Sequence, residues 1–490
     1  MMRMNNYGRK QTVLMFPWLG HGHISPFLEL AKKLSNTNLF NIYLCSTPAN
    51  LNSVKKTLKT ECGSLSISLI ELHLPALPDL PPHLHTTNGL PLHLMPTLKQ
   101  AFDMSSPRFS RILKTLRPDL LIYDMIQSWA PVSASALGIP SVCFITTSAT
   151  MAATMFHLYL NHSKGIAFPF RTIYFRTYEY KHVHEILESS ANNRKDKDRV
   201  MECVGNSSSI VLVKSFEEIE GKYADYLSIL TGKKIVPVGP LVVDPCHKDL
   251  KQDSVMQWLD TKETGSTVFV SFGSEYFLSS DDLEEIAYGL EMSNVNFIWV
   301  LRFPKSETKV PLSKHLPLGF IDRVKNRGLL VDGWAPQTKI LGHKNVGGFV
   351  SHCGWNSVME AMKFGVPIIA MPMQLDQPVN ARLIVDVGVG MEVIRDGNGR
   401  LMREKVAAVV QRVVVSELGA VVREKAKKMS VDLRAKGDEE IDVVVKELLK
   451  LCQSGGDRLV TGGNGGRKGL PKTKSETFAI EMFCAMETEV

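Results

Sequence analysis

The chain has 490 residues, 44% hydrophobic and 22% charged, with a formal net charge of +7. That length is too great for one hydrophobic core and calls for two domains of roughly 200 residues or more, and the composition is that of an ordinary soluble globular protein. The positive charge is spread thinly, with no Lys/Arg stripe interleaved with aromatics, which excludes a nucleic-acid surface.

At the N-terminus the apolar run VLMF (residues 13–16) is cut off by Pro17, too early for a secretory segment, and no later stretch approaches a membrane span. The expectation is a cytoplasmic protein without membrane insertion, in which the sequons at Asn161 and Asn206 go unused. The eight cysteines (Cys45, Cys62, Cys143, Cys203, Cys246, Cys353, Cys452, Cys484) form no CxxC pair, so neither a zinc site nor a disulfide framework is signalled.

Short apolar runs then alternate with amphipathic segments. TVLMF, IYLCS, LLIYD, SVCFI and IVLVK read as strands in the first half, and VFVSF, NFIWVL, GLLVD, GGFVSH and PIIAM in the second. Such nearly continuous runs belong to parallel sheets buried on both faces, with crossover helices between them. SPFLELAKKL and DDLEEIAYGLEMS are examples of those helices, the second opened by Ser279 or Ser280 as its cap. The pattern breaks at VPVGPLVVDPCHKDLKQDS, residues 236–254, where prolines, a glycine and a charged run mark a linker. This gives an N-terminal domain at 1–240, a linker at 241–254 and a C-terminal domain at 255–453. The glycine-rich tail, 454–490, lacks periodicity and is expected to be disordered. The fold class is α/β: two doubly wound domains facing across a cleft, with ligands held by the strand-to-helix loops.

Those loops carry the chemistry. Strand GGFVSH ends at His352, and a helix starts near Asn356 or Ser357, so free N–H groups and the positive end of a helix dipole face the cleft. His352, Asn356 and Ser357 add side-chain donors for phosphate oxygens. Glu360 lies one helical turn after Asn356, where a carboxylate can accept from ribose hydroxyls. An ordinary capped helix with a buried Trp355 explains SxxE alone, but not the whole constellation. Trp334-Ala335-Pro336-Gln337 and Asp376-Gln377 follow two other strands and reach the same sheet edge. There an indole can stack on a base, and Gln and Asp can hold sugar hydroxyls. Gly273-Ser274, after VFVSF, allows close backbone approach and offers a hydroxyl to a phosphate.

In the first domain His21 and His23 stand between the first strand and helix, and Asp124 ends another strand. A His whose second nitrogen is held by a carboxylate is fixed in tautomer and becomes a better base; capping of a turn by either His is the competing reading. A His-x-His metal site would leave most of the coordination shell empty. Asp196-Lys197-Asp198 has the DxD form of a metal-binding sugar transferase, but it sits in the charged run NNRKDKDR with no apolar strand before it and reads as a solvated helix face.

The stretch WAPQTKILGHKNVGGFVSHCGWNSVMEAMKFGVPIIAMPMQLDQ, residues 334–377, resembles the signature box of plant family 1 UDP-sugar glycosyltransferases. Trp334, Gln337, His343, His352, Gly354, Trp355, Asn356, Ser357, Glu360, Gly365, Pro367, Asp376 and Gln377 fall at the family's spacings, and Ala361 departs where most relatives have glycine. The resemblance covers about residues 10–452. It implies the GT-B fold, with the UDP-sugar in the C-terminal domain and the acceptor in the N-terminal one. By it, Trp334 stacks on uracil and the Ala335 backbone bonds the base. Glu360 holds the ribose; Ser274, His352, Asn356 and Ser357 bind the diphosphate; and Trp355, Asp376 and Gln377 contact the sugar. Gln377 favours glucose as the sugar. The catalytic histidine maps to His23 and its acidic partner to Asp124. No metal or other cofactor is implied beyond UDP-glucose as donor.

FPWLGHGHISPFLELAKKL, HLHTTNGLPLHLMPTLKQAF, SFEEIEGKYADYLSIL and FVSFGSEYF further resemble the branch-forming subgroup, which extends a sugar already on a triterpenoid, flavonoid or lignan. The expected partner is therefore a small-molecule glycoside, bound by a monomer, in a pocket lined by segments such as residues 75–100 and 160–190. Transfer to bare aglycones, nucleotide-sugar epimerisation and a silent UDP-sugar binder are the rival readings.

Overall fold

The computed structural model describes residues 9–61, 66–161, 165–243, 254–274, 276–303 and 310–457. Each apolar run named above is a strand. In chain order the strands are β1 Gln11–Phe16, β2 Phe40–Ser46, β3 Ile67–Glu71, β4 Leu120–Tyr123, β5 Ser141–Ile145, β6 Ser190–Ala191, β7 Arg194–Lys195, β8 Ile210–Val213 and β9 Lys234–Pro237 in the first half. In the second half they are β10 Thr267–Ser271, β11 Asn296–Leu301, β12 Gly328–Asp332, β13 Val346–Ser351, β14 Ile368–Ala370 and β15 Gly390–Glu392. A seven-stranded sheet has the order β3-β2-β1-β4-β5-β8-β9, and a six-stranded sheet the order β12-β11-β10-β13-β14-β15. All their pairings are parallel, whereas β6 and β7 form a small antiparallel pair.

The sequence reading missed β3, β9 and β15, each at a sheet edge, where a strand is shorter and less continuously apolar. β9 ends in Pro237, inside the stretch read as the start of the linker; proline is tolerated on an edge strand because no ladder partner needs its N–H. Of the linker, residues 244–253 lie outside the described residues.

The last helix, Glu439–Asp457, corrects the domain reading. Its Ile441, Val444, Val445, Leu448 and Leu449 are buried in a core shared with Val13, Phe27, Ile42 and Leu120 of the N-terminal sheet layer. The chain therefore crosses back, because this apolar stripe covers one face of the first sheet. The helix also runs four residues into the segment assigned to a disordered tail; residues 458–490 lie outside the described residues. Among the described residues no helix is long and apolar enough to cross a membrane. Cys45, Cys143, Cys203, Cys353 and Cys452 are free thiols, while Cys62, Cys246 and Cys484 lie outside the described residues.

Asp196-Lys197-Asp198 begins the helix Asp196–Gly205, as read, but Asp196 is not solvated. It is buried, ion-paired with Lys99, and accepts from the Ser189 hydroxyl at 2.8 Å. It anchors a helix start in the N-terminal domain.

Candidate active site

Strand order brings the first pair of residues together. In the N-terminal sheet the direction of winding reverses between β1 and β4, so the loops after these strands are neighbours at the carboxyl edge. His23 follows β1, in the first turn of the helix His21–Asn36, and Asp124 follows β4. His23 Nδ1 lies 2.8 Å from Asp124 Oδ2. A carboxylate can only accept, so Nδ1 carries the proton and Nε2 is the nitrogen able to accept one. The Asp124 carboxylate, 0% exposed, also accepts from Trp18 N at 3.1 Å and Met125 N at 2.7 Å. The Thr146 hydroxyl sits 3.0 Å from the same Nδ1.

The C-terminal sheet repeats the device. Its order reverses between β10 and β13, which sets Gly273-Ser274 beside His352. The imidazole fits between two glycines: a Cβ on Gly273 would come within 2.6 Å of Nε2, and one on Gly354 within 2.5 Å. Burial pulls the His352 pKa down to about 4, so the ring is neutral near pH 7. A hydrogen bond to the Ser271 backbone opposes that shift.

The next helix begins at Trp355, slightly earlier than read, with Gly354 as its cap. Cys353 takes φ +65°, a left-handed conformation that costs a residue with a Cβ roughly 1–2 kcal/mol. The turn is held by Cys353 N donating to Ser351 Oγ at 3.0 Å and by the Cys353 carbonyl accepting from Asn380 Nδ2 at 3.0 Å.

Two residues of this helix have roles that the sequence did not suggest. The Trp355 indole is buried, and its N–H donates to the Lys214 carbonyl of the other domain at 2.6 Å. The Asn356 amide accepts from the Lys214 ammonium at 2.5 Å and donates to the Gly22 carbonyl at 3.1 Å. One turn on, Gln337 Nε2 donates to Glu360 Oε2 at 2.7 Å and to Ser357 Oγ at 3.0 Å. Burial pushes the Glu360 carboxyl up, opposed by that hydrogen bond and by the positive charge of Lys214. Trp334 stands 79% exposed beside buried Ala335, an open aromatic face at the cavity wall.

Asp376 and Gln377 close the arrangement. Asp376 Oδ2 accepts from the Thr147 hydroxyl at 2.7 Å and from Asn380 Nδ2 at 2.9 Å, and burial raises its pKa. Gln377 Oε1 accepts from Met373 N and Gln374 N at 3.0 and 2.9 Å, which shapes the loop in front of it. Leu375, within that loop, is a second non-glycine residue with positive φ, +57°.

One cavity of about 760 Å³ joins these parts. Every predicted site residue lines it except Asp124, which stands behind His23. Its N-terminal half is an apolar chamber containing Met125, Met151, Met155, Phe156 and Met201. Residues 160–190 contribute Val183 and Leu187, as expected. Residues 75–100 contribute nothing; their Leu80, Leu90, Leu94 and Leu98 are buried in the core instead. Thr146, Thr147 and Lys214 were missed, although a polar residue closing an apolar strand (SVCFITT, IVLVK) was a legible signal. Among the described residues no group of three His, Cys, Asp or Glu is placed to hold a metal ion.

Residues 10–243 match the family described as glycosyltransferase, N-terminal domain, and residues 241–432 match UDP-glucoronosyl and UDP-glucosyl transferase. A mogroside IIIx synthase of Siraitia grosvenorii is 52% identical over 443 residues, 89% of this chain and 97% of that protein. The chain belongs to the UDP-glucoronosyl and UDP-glucosyl transferase family. A second relative of this UDP-glycosyltransferase, the beta-D-glucosyl crocetin beta-1,6-glucosyltransferase of Gardenia jasminoides, is 48% identical over 89% of this chain and 98% of that protein. In fold the transferase resembles Glycyrrhiza uralensis UGT73P12 complexed with glycyrrhetinic acid 3-O-monoglucuronide, with TM-score 0.78 and 24% identity over 92% of this chain and 98% of that one. The two Rossmann-like domains are those of the GT-B fold. The enzyme is a UDP-sugar-dependent glycosyltransferase related to the branch-forming group.

Proposed function

We propose that this transferase moves glucose from UDP-glucose to a hydroxyl of a small-molecule plant glycoside, with His23 as general base. The observation that carries the reading is His23, held by Asp124 at 2.8 Å behind it, facing the cavity whose other wall bears Trp334, His352, Glu360 and Asp376. The acceptor hydroxyl oxygen attacks the anomeric carbon as the bond to the diphosphate oxygen breaks. The acceptor proton passes to His23 Nε2, and UDP departs with the bonding pair. Asp124 keeps Nδ1 protonated and stabilises the imidazolium that forms. Charge developing on the diphosphate is met by preorganised donors: the N–H groups at Trp355, the neutral His352 ring, and the Ser274 and Ser357 hydroxyls. Trp334 receives the uracil face and Glu360 the ribose hydroxyls, while Asp376 and Gln377 receive the sugar.

For the acceptor, the activity by which the Gardenia relative is named, beta-1,6-glucosyl transfer to beta-D-glucosyl crocetin, supports a glycoside. The methionine-rich chamber suits its apolar aglycone, since unbranched thioether side chains fill against many shapes. That chamber also favours a second reading, transfer to bare aglycones. The experiment is a screen of UDP-glucose against paired aglycones and their glucosides, read by mass spectrometry. Product from glucosides alone supports the branching reading. Product from aglycones overturns it and leaves the base assignment in place.

A further inference from the structure

Lys214 is the strongest group outside the predicted machinery. It follows β8 in the N-terminal sheet, and its backbone N–H continues the ladder to the Ile145 carbonyl at 2.9 Å. The residue is 2% exposed, yet its side chain ends at the Asn356 amide, in the first turn of the C-terminal domain's helix Trp355–Phe364. A cation at a helix N-terminus is on the wrong end of the dipole, where positive partial charge already gathers. Burying it there is costly unless an anion joins the site.

The contacts of Asn356 show what the lysine does. An ammonium can only donate, so it selects Oδ1 and turns the amide nitrogen away. That nitrogen donates to the Gly22 carbonyl, the acceptor which Pro26, lacking an N–H, leaves without its helical partner. A donor-only group on one side and an orphaned acceptor on the other thus fix the amide in one orientation. Gly22 immediately precedes His23, so the bridge ties the helix that faces the donor to the turn that carries the base.

We propose that Lys214 is a positioning residue of the donor site, a cation supplied by the acceptor domain that fixes the Asn356 amide and adds positive potential where the nucleoside diphosphate binds. The inference rests on the helix start at Trp355 being the diphosphate site. The charged groups facing Lys214 are Glu360 on the helix Trp355–Phe364 and Glu29 on the helix His21–Asn36, and neither is in hydrogen-bond contact with it. Glu360 accepts from Gln337, and Glu29 from Lys32 at 2.6 Å. Burial pulls the ammonium down to about pKa 8, with both carboxylates opposing the shift. Bound diphosphate restores the proton's hold, so UDP binding is linked to protonation of Lys214.

The test is UDP binding to the full chain by calorimetry, at about pH 7 and about pH 9, for the wild type, Lys214→Met and Lys214→Arg. Wild-type affinity should fall on the order of tenfold between the two, and Lys214→Met should bind roughly tenfold more weakly at the lower pH, with no further loss at the higher one. Lys214→Arg, which keeps its charge, should flatten the profile without the Met variant's loss; a merely structural role would not produce that rescue. In a double-mutant cycle, the losses from Lys214→Met and Asn356→Ala should combine to clearly less than their sum, the shared part being the fixed amide and the remainder the lost charge. Equal UDP affinity of wild type and Lys214→Met, or full additivity with Asn356→Ala, overturns the role of Lys214 alone. A wild-type chain that binds no UDP overturns the donor-site reading and this inference together.

Discussion

The Thr147 hydroxyl, after β5 of the N-terminal sheet, donates to the Asp376 carboxylate of the C-terminal domain at 2.7 Å. Its neighbour Ser148 donates to Asn380 Oδ1 at 2.7 Å, and Asn380 Nδ2 returns to Asp376 and to the Cys353 carbonyl. A cavity-lining carboxylate of one domain is thus oriented by hydroxyls of the other, directly by Thr147 and through Asn380 by Ser148, so its geometry depends on the two halves being apposed.

Thr147→Val keeps the shape and removes the donor. A partly compensated carboxylate then loses one hydrogen bond, worth about 1–3 kcal/mol. The KM for UDP-glucose should rise several-fold with UDP affinity little changed. The Asp376 pKa, raised by burial, should rise further, so the ionised form becomes harder to hold. Steady-state kinetics from acid to alkaline pH should therefore show the defect largest at acid pH, where the variant's carboxyl is protonated and the wild type's is not, and shrinking as pH rises; a pH-independent defect would locate the effect elsewhere.

His23→Ala should lower kcat by on the order of a hundredfold or more while UDP still binds. Asp124→Asn tests the partner. Met125 N–H occupies Oδ1, and both Trp18 N–H and His23 occupy Oδ2, so an amide nitrogen must face a donor on either side. The variant should lose about as much activity as His23→Ala, through the wrong tautomer, with its acceptor KM nearly unchanged. Near-normal turnover by His23→Ala would remove His23 from the role of base, and near-normal turnover by Asp124→Asn would remove Asp124 from fixing its tautomer.

The strands, their parallel pairing and the ligand-bearing edges were legible because buried parallel strands leave continuous apolar runs, and residues such as His23, Asp124 and His352 stand where those runs stop. What stayed hidden is tertiary. Nothing local tells that Trp355 spends its indole N–H on Lys214, or that the helix Glu439–Asp457 returns to the first sheet. Asp196 looked solvated because charge density along the chain does not reveal Lys99, 97 positions earlier, as its partner.

His352 supplies a stability prediction. Its folded pKa, about 4, lies below the ordinary histidine value, so the neutral ring stabilises the fold above about pH 6.5, and that contribution is lost as pH falls toward 4. Denaturation between neutral and mildly acid pH should show wild-type stability falling with acid, and His352→Gln should flatten that slope. An unchanged slope in the variant would mean that the ring is charged in the folded protein. UDP affinity should not follow this titration above about pH 6.

Arg382, on the helix Gln377–Val387, clasps both oxygens of Glu179 at 2.7 Å, and its other nitrogen meets Glu392 at 2.8 Å. Arg176 closes a ring, bonding Glu392 at 2.7 Å and Glu179 at 3.1 Å. Arg382 and Glu179 are almost wholly buried, so removing one partner strands charges that water cannot reach. Arg382→Met should cost about 3–5 kcal/mol in denaturant unfolding, with little relief from added salt. Glu179 belongs to the helix Thr177–Glu188, whose Val183 and Leu187 line the apolar chamber proposed for the acceptor. Loss of the clasp should therefore raise the acceptor KM several-fold while UDP binds as before. A variant with lowered stability but an unchanged acceptor KM would show that the ring holds the domains together without shaping the chamber.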